Sequence, residues 1–173
     1  MTDAPRQTGE GARYDALIGL GSNIGDKQAN VHRAVDLLTE GGDVRLVATS
    51  RLYRSPPWGV LDQDWFVNAC IAIATSLDPY ALLARCHAVE NAMKRVRFER
   101  WGPRVIDVDV LVYRDVALAE PDLTLPHPRM TERAFVLVPL LDIEPELEIA
   151  GHRLSHWLEA IDASGVTPLD EQA

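Results

Sequence analysis

Asp107-Val108-Asp109-Val110 alternates carboxylate and valine with a period of two, the repeat of a β-strand and not of a helix. On a strand, alternate side chains share a face about 6.5–7 Å apart along the chain. Asp107 and Asp109 therefore project together, and Val108 and Val110 turn to a core. Two convergent carboxylates suit a hard divalent cation, and the guanidinium groups of Arg100 and Arg104 just upstream suit phosphate oxygens. The combination points to Mg²⁺-assisted phosphoryl chemistry. The carboxylate pair alone is equally compatible with the wet face of an edge strand that binds nothing.

Charge sharpens this reading. The chain carries a net charge of −9 over 173 residues, which argues against broad nucleic-acid or membrane-surface binding. Between Lys94 and Arg104 the balance reverses, with Lys94, Arg95, Arg97, Arg100 and Arg104 against Glu99 alone. Such an island suits a compact polyanion such as a nucleotide, or a solvated helix end. Cys70 and Cys86 lie in apolar segments with no CxxC motif, as expected of buried, reduced thiols in a cytoplasmic protein. No segment approaches the ~18 continuous apolar residues of a membrane span, and residues 1–13 lack a signal peptide's apolar run.

The pattern along the chain predicts a strand over residues 14–20, stopped by Gly21-Ser22-Asn23. A helix follows, capped by Asp26, with an apolar stripe of Ala29, Val31, Ala34, Val35 and Leu38, and ended by Gly41-Gly42. Strands follow over 44–53 and 65–75, separated by an irregular Ser55-Pro56-Pro57-Trp58-Gly59. Asp78-Pro79 opens a second helix running to about Met93. The carboxylate strand covers 105–113. Beyond it lie a Pro-rich connection, a helical turn near 129–133, an apolar run over 135–141 that fits strand or helix, and a final helix over 154–161. The order β-α-β-β-α-β describes an α+β, ferredoxin-like core: a mostly antiparallel sheet with helices packed on it and extra C-terminal elements. One domain over 14–165 is expected, with a flexible N-terminal extension (1–13) and a flexible tail (166–173).

Gly19-Leu20-Gly21-Ser22-Asn23-Ile24-Gly25 is spaced GxGxxxG, neither a dinucleotide fingerprint nor a P-loop, and reads as a tight turn needing glycine dihedrals. His152 and His156 stand four apart without a third ligand. His127, between two prolines, reads by itself as a turn residue in a rigid loop, and less readily as a phosphate donor.

Taken together, these residues resemble the 6-hydroxymethyl-7,8-dihydropterin pyrophosphokinase family of folate biosynthesis. The pattern R-x-G-P-R-x-x-D-x-D is met by Arg100, Gly102, Pro103, Arg104, Asp107 and Asp109. Further landmarks follow in order: Gly21-Ser22-Asn23, Tyr53-Arg54-Ser55-Pro56-Pro57, Asn68, Pro126-His127-Pro128-Arg129-Met130, Arg133 and Phe135. The resemblance implies transfer of pyrophosphate from ATP to the pterin hydroxymethyl group, releasing AMP. It implies Asp107 and Asp109 as ligands of two Mg²⁺ ions, and Arg95 and Arg97 as catalytic arginines on a mobile loop. It implies ATP contacts from Glu90, Arg97, Arg100, Trp101, Arg104, His127 and Arg133. Ser55, Pro57, Trp58 and Asn68 would line the pterin pocket, with Phe66 and Phe135 stacking on the ring. Three departures from the family pattern stand out: Trp58 replaces a smaller apolar residue, the Arg97–Arg100 segment is one residue shorter than in some relatives, and Asp122 replaces a basic residue. At this length a single-function chain is expected, without a fused aldolase or pteroate synthase.

The expected partners are the two small-molecule substrates, with no nucleic acid and no membrane, and the expected working unit is a monomer. Two rivals stay open on the residues alone. A nucleotidyltransferase with the same Asp-x-Asp would release pyrophosphate, and a ligand-binding regulatory domain would turn over nothing.

Overall fold

The computed structural model describes residues 4–57, 62–93 and 105–169. Its core runs in the order β1 (Ala16–Ser22), α1 (Lys27–Thr39), β2 (Val44–Thr49), β3 (Tyr53–Ser55), β4 (Phe66–Thr75), α2 (Pro79–Ala92) and β5 (Asp107–Tyr113), followed by α3 (Ala134–Ile143), α4 (Leu154–Glu159) and a short β6 (Thr167–Pro168). β1 is central, antiparallel to β4 on one side and β5 on the other, and β2 and β3 both pair with the long β4. The arrangement is the expected ferredoxin-like α+β fold, with its second strand split.

Local chemistry accounts for the elements. Asp26 caps α1 by accepting from the Ala29 N–H at 3.1 Å, and Asp78 caps α2 by accepting from Ala81 N–H at 2.8 Å, with Pro79 in the first turn. The chain leaves α1 through Gly42, whose φ of 80° is the left-handed conformation glycine favours. The buried stripe of α1 is Lys27, Val31, Ala34 and Leu38; Ala29, expected on it, is exposed because it lies on the opposite flank of the first turn. The apolar run after Arg133 is helical. Val136, Leu137, Leu140 and Ile143 recur at helical spacing, and Pro139 is poorly suited to a paired strand.

Strand alternation divides the interior into two cores. Ala16, Ile18 and Leu20 of β1, Ile71 and Ile73 of β4, and Val108 and Val110 of β5 pack against α1 and α2. Leu17, Cys70, Ala72 and Leu111 face the other way, against α3 and α4. A register shift between Leu17 and Ile18 lets Leu111 and Val112 both join this second core. The second layer stops short of the sheet's end, and the open end of that face becomes the site.

The structure differs from expectation at four strand positions. β1 continues through Gly21 and Ser22, which pair with Asn68 and Val67. The strand expected over 44–53 breaks at Ser50, whose hydroxyl accepts from the Cys70 N–H at 2.9 Å and so replaces a ladder carbonyl. The segment before Tyr14, expected to be loose, contains a small ladder in which Arg6–Gln7 pairs with Arg13–Tyr14. Arg6 binds Asp115 at 2.9 Å, and the buried Tyr14 hydroxyl donates to Glu144. At the other end, Thr167–Pro168 pairs with β3.

Ile71 is fully buried at the centre of β4, whereas Tyr80 on α2 is 48% exposed. Ile71→Ala should lower unfolding free energy by about 2–5 kcal/mol, and Tyr80→Ala by no more than about 0.5 kcal/mol. Urea denaturation of both variants checks this. Equal small losses would contradict the core assignment.

Candidate active site

β1 sets the geometry of the site. On the face away from α1 and α2 it carries Gly19 and Gly21. Gly21 is directly opposite Asn68 on β4 and Asp107 on β5, and Gly19 opposite Cys70 and Asp109. Two cross-strand rows result, Asn68-Gly21-Asp107 and Cys70-Gly19-Asp109, each with hydrogen at its middle position. Across two strand spacings, amide and carboxylate start about 9–10 Å apart. Above this floor lies a cavity of about 310 Å³ lined by residues of β1, β3, β4 and β5, the loop around His127 and the first turn of α3.

The cavity gathers Ser55, Phe66, Asn68, Asp107, Asp109, His127, Arg133 and Phe135, all expected at the site from the sequence. Pro57 is not among the lining residues, although its neighbour Pro56 is. Glu90 is buried on α2 and does not line the cavity either. Trp58, Arg95, Arg97, Arg100, Trp101 and Arg104 lie outside the described residues.

Asn68 and Ser55 form the amide end. The buried Asn68 donates from Nδ2 to the Ser55 hydroxyl, which fastens the side chain between β4 and β3. Phe66 precedes Asn68 on the same face, and Phe135 enters from α3. The Arg133 guanidinium carbon lies 5.6 Å from the Phe135 ring centre.

The opposite side is charged. Asp107 and Asp109 are half-buried and face the same cavity. Arg133 is buried at the start of α3; burial pulls its guanidinium below the usual value, the carboxylate of Asp109 opposes that, and Arg129 adds to it. The donor set fits Mg²⁺, which takes one or two carboxylates and completes its shell with water and phosphate oxygens. Among the described residues no group of three or more His, Cys, Asp or Glu side chains could hold a metal, and a Mg²⁺–nucleotide site needs no third protein ligand.

His127 has a defined tautomer. Its backbone N–H donates to the Leu111 carbonyl at 2.8 Å, which docks the loop on β5. Its Nδ1 accepts from the Arg129 N–H at 3.1 Å, so Nδ1 is unprotonated and the ring proton sits on Nε2. Burial, then the cations of Arg133 and Arg129, lower its pKa to about 4. At neutral pH it is an uncharged imidazole that can donate a hydrogen bond from Nε2.

Two features of the site were not anticipated. Gly19 and Gly21 are strand residues without positive φ, so the turn-dihedral explanation holds only for Gly25, whose φ is 71°. Their alternation at 19 and 21 matches that of the aspartates and is the signal that could have revealed them. Arg129 also lines the cavity, where it adds a positive charge beside His127. His152 and His156 stack ring on ring with centres 4.0 Å apart and are not among the lining residues.

Fold and cavity together place paired carboxylates at one side of an open end of a ferredoxin-like sheet, and an amide with two aromatic rings at the other. Residues 17–145 match the model of the 7,8-dihydro-6-hydroxymethylpterin-pyrophosphokinase (HPPK) family. A 2-amino-4-hydroxy-6-hydroxymethyldihydropteridine pyrophosphokinase of Methylorubrum extorquens is 52% identical over 151 residues, covering 87% of this chain and 96% of that protein. The protein of the same name from Bacillus subtilis is 42% identical over 133 residues, covering 77% of this chain and 80% of its own length. Among solved structures, an HPPK-DHPS in complex with substrates superimposes with a TM-score of 0.70 at 13% identity, a likeness of fold. It covers 91% of this chain and 46% of that longer one. The chain belongs to the HPPK family.

The His127 ring provides a direct check. Its folded pKa lies below the ordinary 6.5, so the unfolded chain binds more protons between about 4 and 6.5. This group's contribution to stability is fully present above that window and is lost as pH falls through it. Imidazole NMR should show His127 unchanged from pH 8 to 6 and titrating near pH 4. A midpoint near 6.5 would contradict the buried, Nε2–H assignment.

Proposed function

We propose that this chain transfers pyrophosphate from ATP to the hydroxymethyl group of 6-hydroxymethyl-7,8-dihydropterin, yielding AMP and the pterin diphosphate. The observation that carries the reading is the two cross-strand rows, which bring Asp107 and Asp109 into one cavity with Asn68, Ser55, Phe66 and Phe135 in a chain of this family. A flat, polar-edged heterocycle needs an amide for its edge and aromatic rings for its faces. Asn68 and Ser55 supply the first, Phe66 and Phe135 the second. The reactive hydroxymethyl group then points toward the carboxylates.

In the reaction, the hydroxymethyl oxygen attacks the β-phosphorus of ATP. The bond from that phosphorus to the oxygen bridging the α- and β-phosphates breaks, AMP leaves with that oxygen, and the hydroxyl proton passes to solvent. In-line displacement at phosphorus is helped mainly by positioning and by neutralisation of charge. Asp107 and Asp109 are the residues that would hold Mg²⁺, two ions in our reading. When bound, Mg²⁺ would screen phosphate charge and ease loss of the alcohol proton. His127, as a neutral Nε2–H donor, and Arg133, as a buried cation, would face phosphate oxygens. Arg95, Arg97, Arg100, Trp101 and Arg104 belong to the same proposal through the family resemblance alone, as do Glu90 toward ATP and Pro57 and Trp58 toward the pterin. The free, buried thiols of Cys70 and Cys86 support a reducing compartment such as the cytoplasm.

Product analysis tests the reading. With ATP, Mg²⁺ and 6-hydroxymethyl-7,8-dihydropterin, the protein should form AMP and pterin diphosphate in equal amounts. ADP with a pterin monophosphate, or pyrophosphate with an adenylylated pterin, would overturn it. Asp107→Ala should lower turnover by at least about 100-fold, and full Mg²⁺-dependent activity in that variant would refute the ligand assignment.

A further inference from the structure

A glycine in the middle of a strand is a poor choice for pairing, since it adds backbone entropy and packs nothing. It is explained when dihedrals demand it or when something approaches the backbone closely. Gly21 pairs within β1 on both sides and has no positive φ, so dihedrals do not demand it. Close approach does. A Cβ built on Gly21 would stand 2.9 Å from Oδ1 of Asn68, closer than real Cβ contacts come, with Phe66 Cδ1 next at 3.9 Å. The amide therefore lies over the bare Cα of its cross-strand partner. Gly19, two residues earlier on the same face, is different: there a Cβ would meet only Leu111 carbons, at 3.4 Å and beyond.

We propose that Gly21 is a positioning residue for the pterin. By carrying no side chain it lets the Asn68 amide lie flat over β1, held by Ser55, in the orientation that reads the heterocycle's polar edge. The proposal deepens the pterin reading and rests on it. The obstructing atom is the tip of a side chain, not backbone, so a methyl at position 21 leaves the fold standing and turns the amide aside. The effect is selective. It falls on the pterin side of the cavity and spares the nucleotide, whose proposed partners among the cavity's described residues are Asp107 and Asp109 across β1 (through the metal), His127 on its loop and Arg133 at the start of α3. Gly21 thus acts through Asn68 and need not touch the reacting atoms.

A double-mutant cycle of Gly21→Ala and Asn68→Ala separates this from a direct clash or a general loss of structure. Titrations of 6-hydroxymethyl-7,8-dihydropterin and of a non-hydrolysable ATP analogue, with thermal melting of all four proteins, are the readouts. Gly21→Ala should weaken pterin binding by at least about tenfold, as expected for one misdirected hydrogen bond, and change nucleotide affinity by less than about twofold. In the Asn68→Ala background, where no amide remains to be displaced, the same methyl should cost less than about twofold. Equal weakening in both backgrounds overturns the proposal, because the methyl then acts without the amide. So does pterin binding by Gly21→Ala at the level of the unmodified chain, or failure of Gly21→Ala to fold in both backgrounds. If the unmodified chain itself bound no pterin, the proposed function would fail instead, independently of the cycle.

Discussion

β1 lies between β4 and β5, and at positions 19 and 21 of its open face it carries only hydrogen. The site depends on this gap. Adjacent strands are separated by about 4.8 Å, so functional groups on neighbouring strands would crowd one another, whereas groups two strands apart leave room for a ligand between them. Asn68 and Asp107 stand on either side of Gly21, and Cys70 and Asp109 on either side of Gly19. The sheet's own hydrogen bonds keep these rows in register. A slip of one residue would turn both aspartates into the core shared with α1 and α2.

The two faces of the sheet divide the work. The face under α1 and α2 is a continuous apolar core with Ile18, Ile71, Ile73 and Leu82 fully buried. It holds the strands rigid, as a site built on strands requires. On the other face α3 covers only part of the sheet, and its first turn brings Arg133, Phe135 and Val136 to the cavity rim. The preceding loop is fastened to β5 through the His127 N–H and the Leu111 carbonyl. One face thus supplies stability, and the other combines partial packing with an open, charged end.

The parts of the fold and site that were legible in the sequence are those with local causes. Asp26 and Asp78 cap helices within their own first turns, and the alternation at 107–110 states its own period. Where the cause is distant, the reading failed. Ser50 interrupts an edge strand because its hydroxyl meets the Cys70 N–H on β4. The Arg6–Gln7 ladder is held by Asp115, the Arg114 carbonyl and, through Tyr14, Glu144, partners far along the chain. Gly21 resembled a strand terminator because glycine is a weak strand former, and only the nearness of Asn68 explains it. Most of the cavity set, Asn68, His127 and Arg133 included, was legible through resemblance to a family rather than through periodicity, since single polar residues in loops and strands carry no pattern of their own.

In the proposed site the paired carboxylates would hold the nucleotide's metal across β1 from the amide that reads the pterin. Crystals grown with Mn²⁺ in place of Mg²⁺, a non-hydrolysable ATP analogue and 6-hydroxymethyl-7,8-dihydropterin would test it through the Mn²⁺ anomalous signal. Anomalous peaks are expected at coordination distance from the carboxylates of both Asp107 and Asp109, with the pterin edge against Asn68. Peaks bound elsewhere, with both carboxylates left uncoordinated, would contradict it.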